Sequence, residues 1–223
     1  MSLETLLQRS AWAQGLTPDQ RARVVAEIQV RPVENGGYVC RKGDPTHAWF
    51  GVIEGLVKIA TASASGKSVT FTGVPAGAWF GEGSVLKREI RKYDVMALRD
   101  SVLAHMPIAT FDWLLDTSIA FNRFLTLQLN ERLGQFIAAV EHERLLDTDA
   151  RVARSLSSMF NPNLYPSDDN TVQISQEELS YLAGVSRQRV NLALKVLEQA
   201  GLVKVDYGVL TILDLEGLRE FGM

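Results

Sequence analysis

The distribution of glycine constrains this chain more than any other feature. From about Arg31 to residue 108 it recurs at Gly36, Gly37, Gly43, Gly51, Gly55, Gly66, Gly73, Gly77, Gly81 and Gly83, whereas between Phe111 and Asp147 it almost vanishes. A chain interrupted that often cannot sustain long helices, because each glycine loosens the backbone and marks a turn. The runs between the glycines, "WFGVI", "LVKIA", "SVTFTGV" and "DVMAL", are rich in β-branched and aromatic residues. Short strands divided by turn signals build a compact antiparallel sandwich or barrel, read here as a β-roll. Ahead of it, Thr17 and Pro18 open a short helix as N-cap and first helical residue.

Where glycine disappears, apolar residues take helical spacing. Leu129, Leu133, Phe136 and Val140 step by four, three and four, flanked by charged residues that include Glu131, Arg132 and Glu141. A second apolar line runs through Leu125, Ile137 and Leu145. One line can face the roll and the other a twin, so 109–146 is expected to be a dimerisation helix with Leu129, Leu133, Phe136 and Val140 at the interface. Packing against the chain's own roll alone is the competing reading.

Beyond a cap at Asp147 or Thr148 and a Pro/Asn/Asp loop, "NPNLYPSDDN", the chain closes as helix, turn, helix and a small β-hairpin around "DYG". Ser175 and Glu178 form a capping box, Leu179, Leu182 and Ala183 supply an inner face, Gly184 turns the chain, Val185 plugs the turn, and Ser186 caps again. Val190, Ala193, Leu194 and Leu197 mark the buried side of the second helix. Its opposite side carries Arg187, Gln188 and Asn191. Arginine can donate two hydrogen bonds to guanine, and Gln or Asn can pair with adenine. Arg189, with the hydroxyls of Ser175 and Ser186, suits phosphate, and Gln176 beside Ser175 joins this DNA-facing set. A solvated amphipathic helix is the alternative, but cap, turn, plug and hairpin together favour a winged helix-turn-helix.

The formal net charge of −3 runs against a DNA-binding protein. Arg187 and Arg189 answer it locally, since they put positive charge where a groove would lie. Charged residues interrupt every apolar run before membrane-spanning length, and the N-terminus lacks the pattern of a signal peptide, so a cytoplasmic protein is expected. Cys40 is the only cysteine. It allows no internal disulfide, and no iron–sulfur cluster on four cysteines of one chain is expected.

These segments together resemble the Crp/Fnr superfamily of bacterial transcription regulators over nearly the full length. "ISQEELSYLAGVSRQRVNLALKVLEQAGLV" follows that family's winged helix-turn-helix. "GGYVCRKGD", "WFGVIEGLVKI", "PAGAWFGEGSVL" and "RKYDVMALRDSVL" follow its cyclic-nucleotide-binding β-roll. The resemblance implies an α+β fold: an effector-sensing roll with its N-terminal helix (1–108), a dimerisation helix (109–146) and a DNA-binding domain (147–223). It also implies a homodimer on a pseudo-palindromic operator, with double-stranded DNA and RNA polymerase as partners. Gly81 and Glu82 match the pair that holds ribose and cyclic phosphate in nucleotide-binding members, and Arg91 fits the arginine position. Lys92 and Tyr93 stand where a small pair is usual, and Phe136 and Ile137 replace the hydroxyls that meet adenine. Bulky apolar groups cannot partner a purine edge, so the expected site is an altered one. Arg91 and Lys92 attract a small anionic effector, with Trp79, Tyr93, Phe136 and Ile137 as walls. A filled pocket with an internal Arg91–Glu82 ion pair is the plainer reading. Gln188 and Leu192 depart from the commoner Glu and basic residue of related activators, which implies a different operator.

Two alternatives come from other classes. A Gly-rich roll can be a cupin-like metalloenzyme, but His47, His105 and His142 are isolated and no His-x-His is present. "GEG" precedes no βαβ unit and no "GxSxG" occurs, so dinucleotide and hydrolase chemistry have no motif, no catalytic residue is assigned, and the chain is read as a non-enzyme. A ligand-sensing adaptor whose helix-turn-helix binds a protein instead of DNA is the other.

Overall fold

The computed structural model describes residues 1–62, 68–166, 170–206 and 208–222. Gly66, the centre of the Pro/Asn/Asp loop at 167–169 and Tyr207 of the "DYG" turn lie outside the described residues. The chain begins with α1 (Leu3–Arg9), α2 (Ala11–Gln14) and α3 (Pro18–Glu27). Thr17 caps α3 in a full capping box with Gln20, and Pro18 stands in its first turn. Next come β1 (Gln29–Val33), β2 (Tyr38–Cys40), β3 (Ala48–Glu54), β4 (Leu56–Ala62), β5 (Ser68–Pro75), β6 (Trp79–Phe80), α4 (Glu82–Lys87), β7 (Asp94–Ala97) and β8 (Ser101–Pro107).

These strands form two antiparallel four-stranded sheets, ordered β1-β8-β3-β6 and β2-β7-β4-β5. Burial explains the run "AWFGVI": β3 is covered on both faces, so it shows no polar alternation. The β3–β4 turn needs glycine. Gly55 has φ +98°, and a Cβ there would lie 2.1 Å from Ser101 Oγ.

Glycine-poor sequence forms α5 (Ile108–Thr117) and α6 (Ile119–Leu145), two helices separated at Ser118, whose side chain caps α6. Trp12, Trp49, Trp79, Phe111 and Phe121 join α2, the roll, α5 and α6, with Trp49 and Trp79 ring centroids 4.5 Å apart. This cluster seats the start of α6. Farther along, Leu125, Gln128 and Arg132 face home and are buried, whereas Leu129, Leu133, Phe136, Ile137, Val140 and Leu145 are exposed. The line Leu125–Ile137–Leu145 is therefore not one home-facing stripe. The inward stripe is mixed, and most of the apolar surface points out.

The C-terminal unit consists of α7 (Thr148–Ser158), β9 (Thr171–Gln173), α8 (Gln176–Ala183), α9 (Arg187–Gln199), β10 (Val203–Asp206), β11 (Val209–Ile212) and α10 (Leu215–Glu220). Asp147 caps α7. Val152, Leu156, Leu179, Val190, Leu194, Leu197 and Leu210 close its core beneath the three-stranded wing β10-β11-β9. The unit docks on its own roll. Arg99 makes a two-pronged pair with Glu178 at 2.8 and 2.6 Å and donates to the Gln173 carbonyl, and Leu56 of β4 joins the C-terminal core.

Candidate nucleic-acid interface and effector pocket

The helix-turn-helix is set by local chemistry. Ser175 accepts from the Glu178 amide while Glu178 accepts from the Ser175 amide, which satisfies two otherwise orphaned donors at the start of α8. Gly184 ends α8 at φ +64°, a left-handed conformation that a side chain would strain. Ser186 then caps α9 through the Arg189 amide. Val190, Ala193, Leu194 and Leu197 are buried as a stripe, so geometry leaves Arg187, Gln188 and Asn191 outward. Among the described residues their side chains make no hydrogen bond or ion pair. Arg189 is exposed and meets Asp149 at 3.2 Å, a contact that solvent screens heavily. Ser175 and Ser186 are exposed, Gln176 is half-buried, and half of Leu192 is bare on the outer side of α9.

The roll gathers a different set. Gly81 (φ +90°), Glu82 and Arg91 come together and are buried. Arg91 donates to the carbonyls of Gly81, at 3.0 Å, and Ala48, with its guanidinium over the Phe50 ring. The Arg91–Glu82 ion pair of the plainer, filled-pocket reading is not what the structure contains. Glu82 instead faces Arg132 of α6 at 3.8 Å, and its Oε2 is buried without a hydrogen bond. Tyr93 lies beside them, and burial, reinforced by the Glu82 carboxylate, pushes its phenol up to about 12. Lys92 points away and pairs with Glu89 at 3.3 Å. Phe136 and Ile137 are exposed on α6, Phe136 meeting Phe71 edge-on, and Trp79 belongs to the tryptophan cluster.

Residues that the sequence does not assign to this pocket complete it. Arg132 had been placed only as a flank of the apolar seam. It donates to the Tyr165 hydroxyl at 2.8 Å and to the Trp79 carbonyl at 3.2 Å. Gln135 and Thr72 also meet that hydroxyl. One signal was available: Gln128, Arg132 and Gln135 continue from Leu125 at helical spacing, and counting apolar residues alone skips such a stripe. Tyr165 offers no comparable signal. His105 packs edge-on against Phe50, and burial, with Arg31 and Arg91 nearby, lowers it to about 4. Cys40 is buried, which raises its thiol to about 11.

A model of the cyclic nucleotide-binding domain matches residues 30–118, and one of the Crp-like helix-turn-helix domain matches 150–221. The chain belongs to the Crp/Fnr family. Among its relatives, the cyclic AMP receptor protein of Thermus thermophilus is 27% identical over 219 residues, covering 94% of this chain and 96% of that protein. The CRP-like cAMP-activated global transcriptional regulator of Mycobacterium tuberculosis is 24% identical, covering 98% and 99%. FixK2 from Bradyrhizobium japonicum shares the fold at TM-score 0.72 and 13% identity, covering 88% of this chain and 98% of that one. This Crp/Fnr protein is a DNA-binding transcription regulator with an α+β architecture of roll, long helix and helix-turn-helix. Among the described residues no group of His, Cys, Asp and Glu is placed to hold a metal. No helix among them is long and apolar enough to cross a membrane.

Proposed function

We propose that this regulator acts in the cytoplasm as a non-enzymatic homodimer, with 1–108 sensing an effector, 109–146 joining two copies and 147–223 binding DNA. The outward row of Arg187, Gln188 and Asn191, free of any partner within the described protein, carries the reading. Polar groups left free on a rigid, capped helix are pre-organised for base edges. Arg189, Ser175, Gln176 and Ser186 flank that row and contact phosphate. Leu129, Leu133, Phe136 and Val140 form the interface: a helix this exposed and this apolar needs covering, and a second α6 covers it symmetrically. Two recognition helices then address half-sites about 34 Å apart, and RNA polymerase is the partner that reads the occupied operator.

With Arg91 bonded to carbonyls and Lys92 paired with Glu89, the two cations expected to attract an anion are committed within the protein, and the effector is a small ligand other than cyclic AMP held in the family's usual manner. Arg91 spends its donors on two backbone carbonyls, and Phe136 and Ile137 offer a purine no hydrogen bond. In-vitro selection of duplexes tests the DNA reading. It should enrich an inverted repeat that wild type binds far more tightly than random DNA, and recovery of no sequence at low salt would overturn it. Titration calorimetry with cyclic AMP should show no micromolar, stoichiometric binding.

A further inference from the structure

Tyr165 lies in the wrong domain for the company it keeps. It follows α7 in the C-terminal unit, yet it and Leu164 are buried in the roll's own core beside Phe80, Val95 and Ala97. The side chain is 2% exposed. Its hydroxyl takes hydrogen bonds from Arg132 and Gln135 and meets Thr72, and the same Arg132 faces the Glu82 carboxylate, whose Oε2 has no hydrogen bond. A phenol thus fills space beside the residues assigned to the effector. The segment around it is held by the neighbouring residue of the same helix: Glu131 accepts from Asn161 at 2.8 Å and from Asn163 at 3.0 Å. Consecutive residues of α6 therefore grip one loop of the DNA-binding unit.

Open space borders the loop on two sides. On one side a cavity of 120 Å³ is lined by Pro162, Asn163 and Leu164 against Trp79 and Gln128. On the other, a cleft of 420 Å³ between roll and C-terminal unit is lined by Phe160 and Tyr165 against Glu54 and Arg99. Elsewhere among the described residues the units also meet through Arg99 on Glu178 and the Gln173 carbonyl, Leu56 in the C-terminal core, Leu182 over Gly73 and Lys58 over Tyr181.

We propose that Tyr165 is a tethered occupant of the effector pocket, which a planar ligand bearing an oxygen acceptor must displace, and whose release frees the DNA-binding unit from the roll. This rests on the assignment of the effector pocket above. The ligand's acceptor replaces the phenol oxygen on Arg132 and Gln135, and its ring replaces the tyrosine ring. The device obeys linkage: a ligand that competes with Tyr165 binds the released arrangement alone, so it shifts the population toward it.

Hydrogen exchange on the full-length protein, wild type against Tyr165→Phe and Tyr165→Ala, reads the plug directly, with p-cresol as a free copy of the lost side chain. Tyr165→Phe, which keeps the ring and loses the hydroxyl, should speed exchange in 159–166 several-fold. Tyr165→Ala should extend the increase to α8, and millimolar p-cresol, which fills the pocket without a tether, should slow exchange at 132–135 of α6 in Tyr165→Ala while leaving α8 exchanging fast. Unaltered α8 protection in Tyr165→Ala, or p-cresol that returns α8 of Tyr165→Ala to wild-type protection, would overturn the proposal. If β3 also opens in Tyr165→Ala, the fold has failed, and Tyr165→Phe decides: unchanged exchange in 159–166 then overturns it. Exchange is measured without DNA, so a protein that ignored every duplex would sink the DNA reading and leave this one standing.

Discussion

Arginines at the two ends of the molecule are used in opposite ways. In the roll, Arg91 and Arg132 are buried and their donors are committed to carbonyls, a phenol and the Glu82 carboxylate. On α9, Arg187 is exposed with no partner among the described residues. A buried guanidinium must be satisfied inside the protein, because leaving it or its acceptors unpaired costs far more than a surface pair returns. An exposed one costs the fold nothing and stays available to a ligand. The first kind holds structure together and the second kind recognises.

The largest effect that can break this contrast is on stability. Arg91→Ala leaves the Gly81 and Ala48 carbonyls unpaired and a void against Phe50, so we expect a loss of about 3 kcal/mol or more in chemical denaturation. A variant as stable as wild type would mean that Arg91 is held for a ligand instead. Arg187→Ala should do the reverse. Its unfolding curve should overlay wild type, while affinity for the selected operator falls by about 1–3 kcal/mol with relaxed preference at one base pair. Equal weakening on random duplex would move Arg187 to the phosphate contacts.

Acid sharpens the comparison, because His105 in the roll responds to it. His105 is held at about 4 by burial, with Arg31 and Arg91 adding to the effect. The unfolded chain titrates near its ordinary value of about 6.5, so between those limits it binds the extra proton. Stability should be full above about pH 6.5 and fall as pH drops toward 4, by on the order of 1–2 kcal/mol once partial exposure is allowed for. His105→Phe, followed by denaturant midpoints across that range, should flatten this limb. Smallest of all, Arg189→Ala should weaken every duplex alike and reduce the slope of log K against log salt by about one, since its Asp149 contact is exposed.

The same division explains what could be read from residues alone. The caps at Thr17, Ser175 and Ser186 and the turn at Gly184 involve partners within four residues, so their spacing states the structure directly. Glycine spacing announced the roll for the same reason. The pocket is different: Arg132 reaches Glu82 and Trp79 from a distant helix, and Tyr165 arrives from another domain. Nothing near Glu82 or Arg91 in the chain encodes those meetings, so proximity in sequence suggested an Arg91–Glu82 pair that three-dimensional packing replaced. On α6, polar Gln128, Arg132 and Gln135 took the inward stripe where apolar periodicity pointed to Ile137 and Leu145.

The exposed arginines can recognise an operator only if two copies present them together. Sedimentation velocity of the purified regulator mixed with its selected inverted-repeat duplex tests this most directly. We predict one complex containing two protomers per duplex, formed from free protein that is already dimeric. Free protein sedimenting as a monomer, with no complex even at low ionic strength, would contradict it.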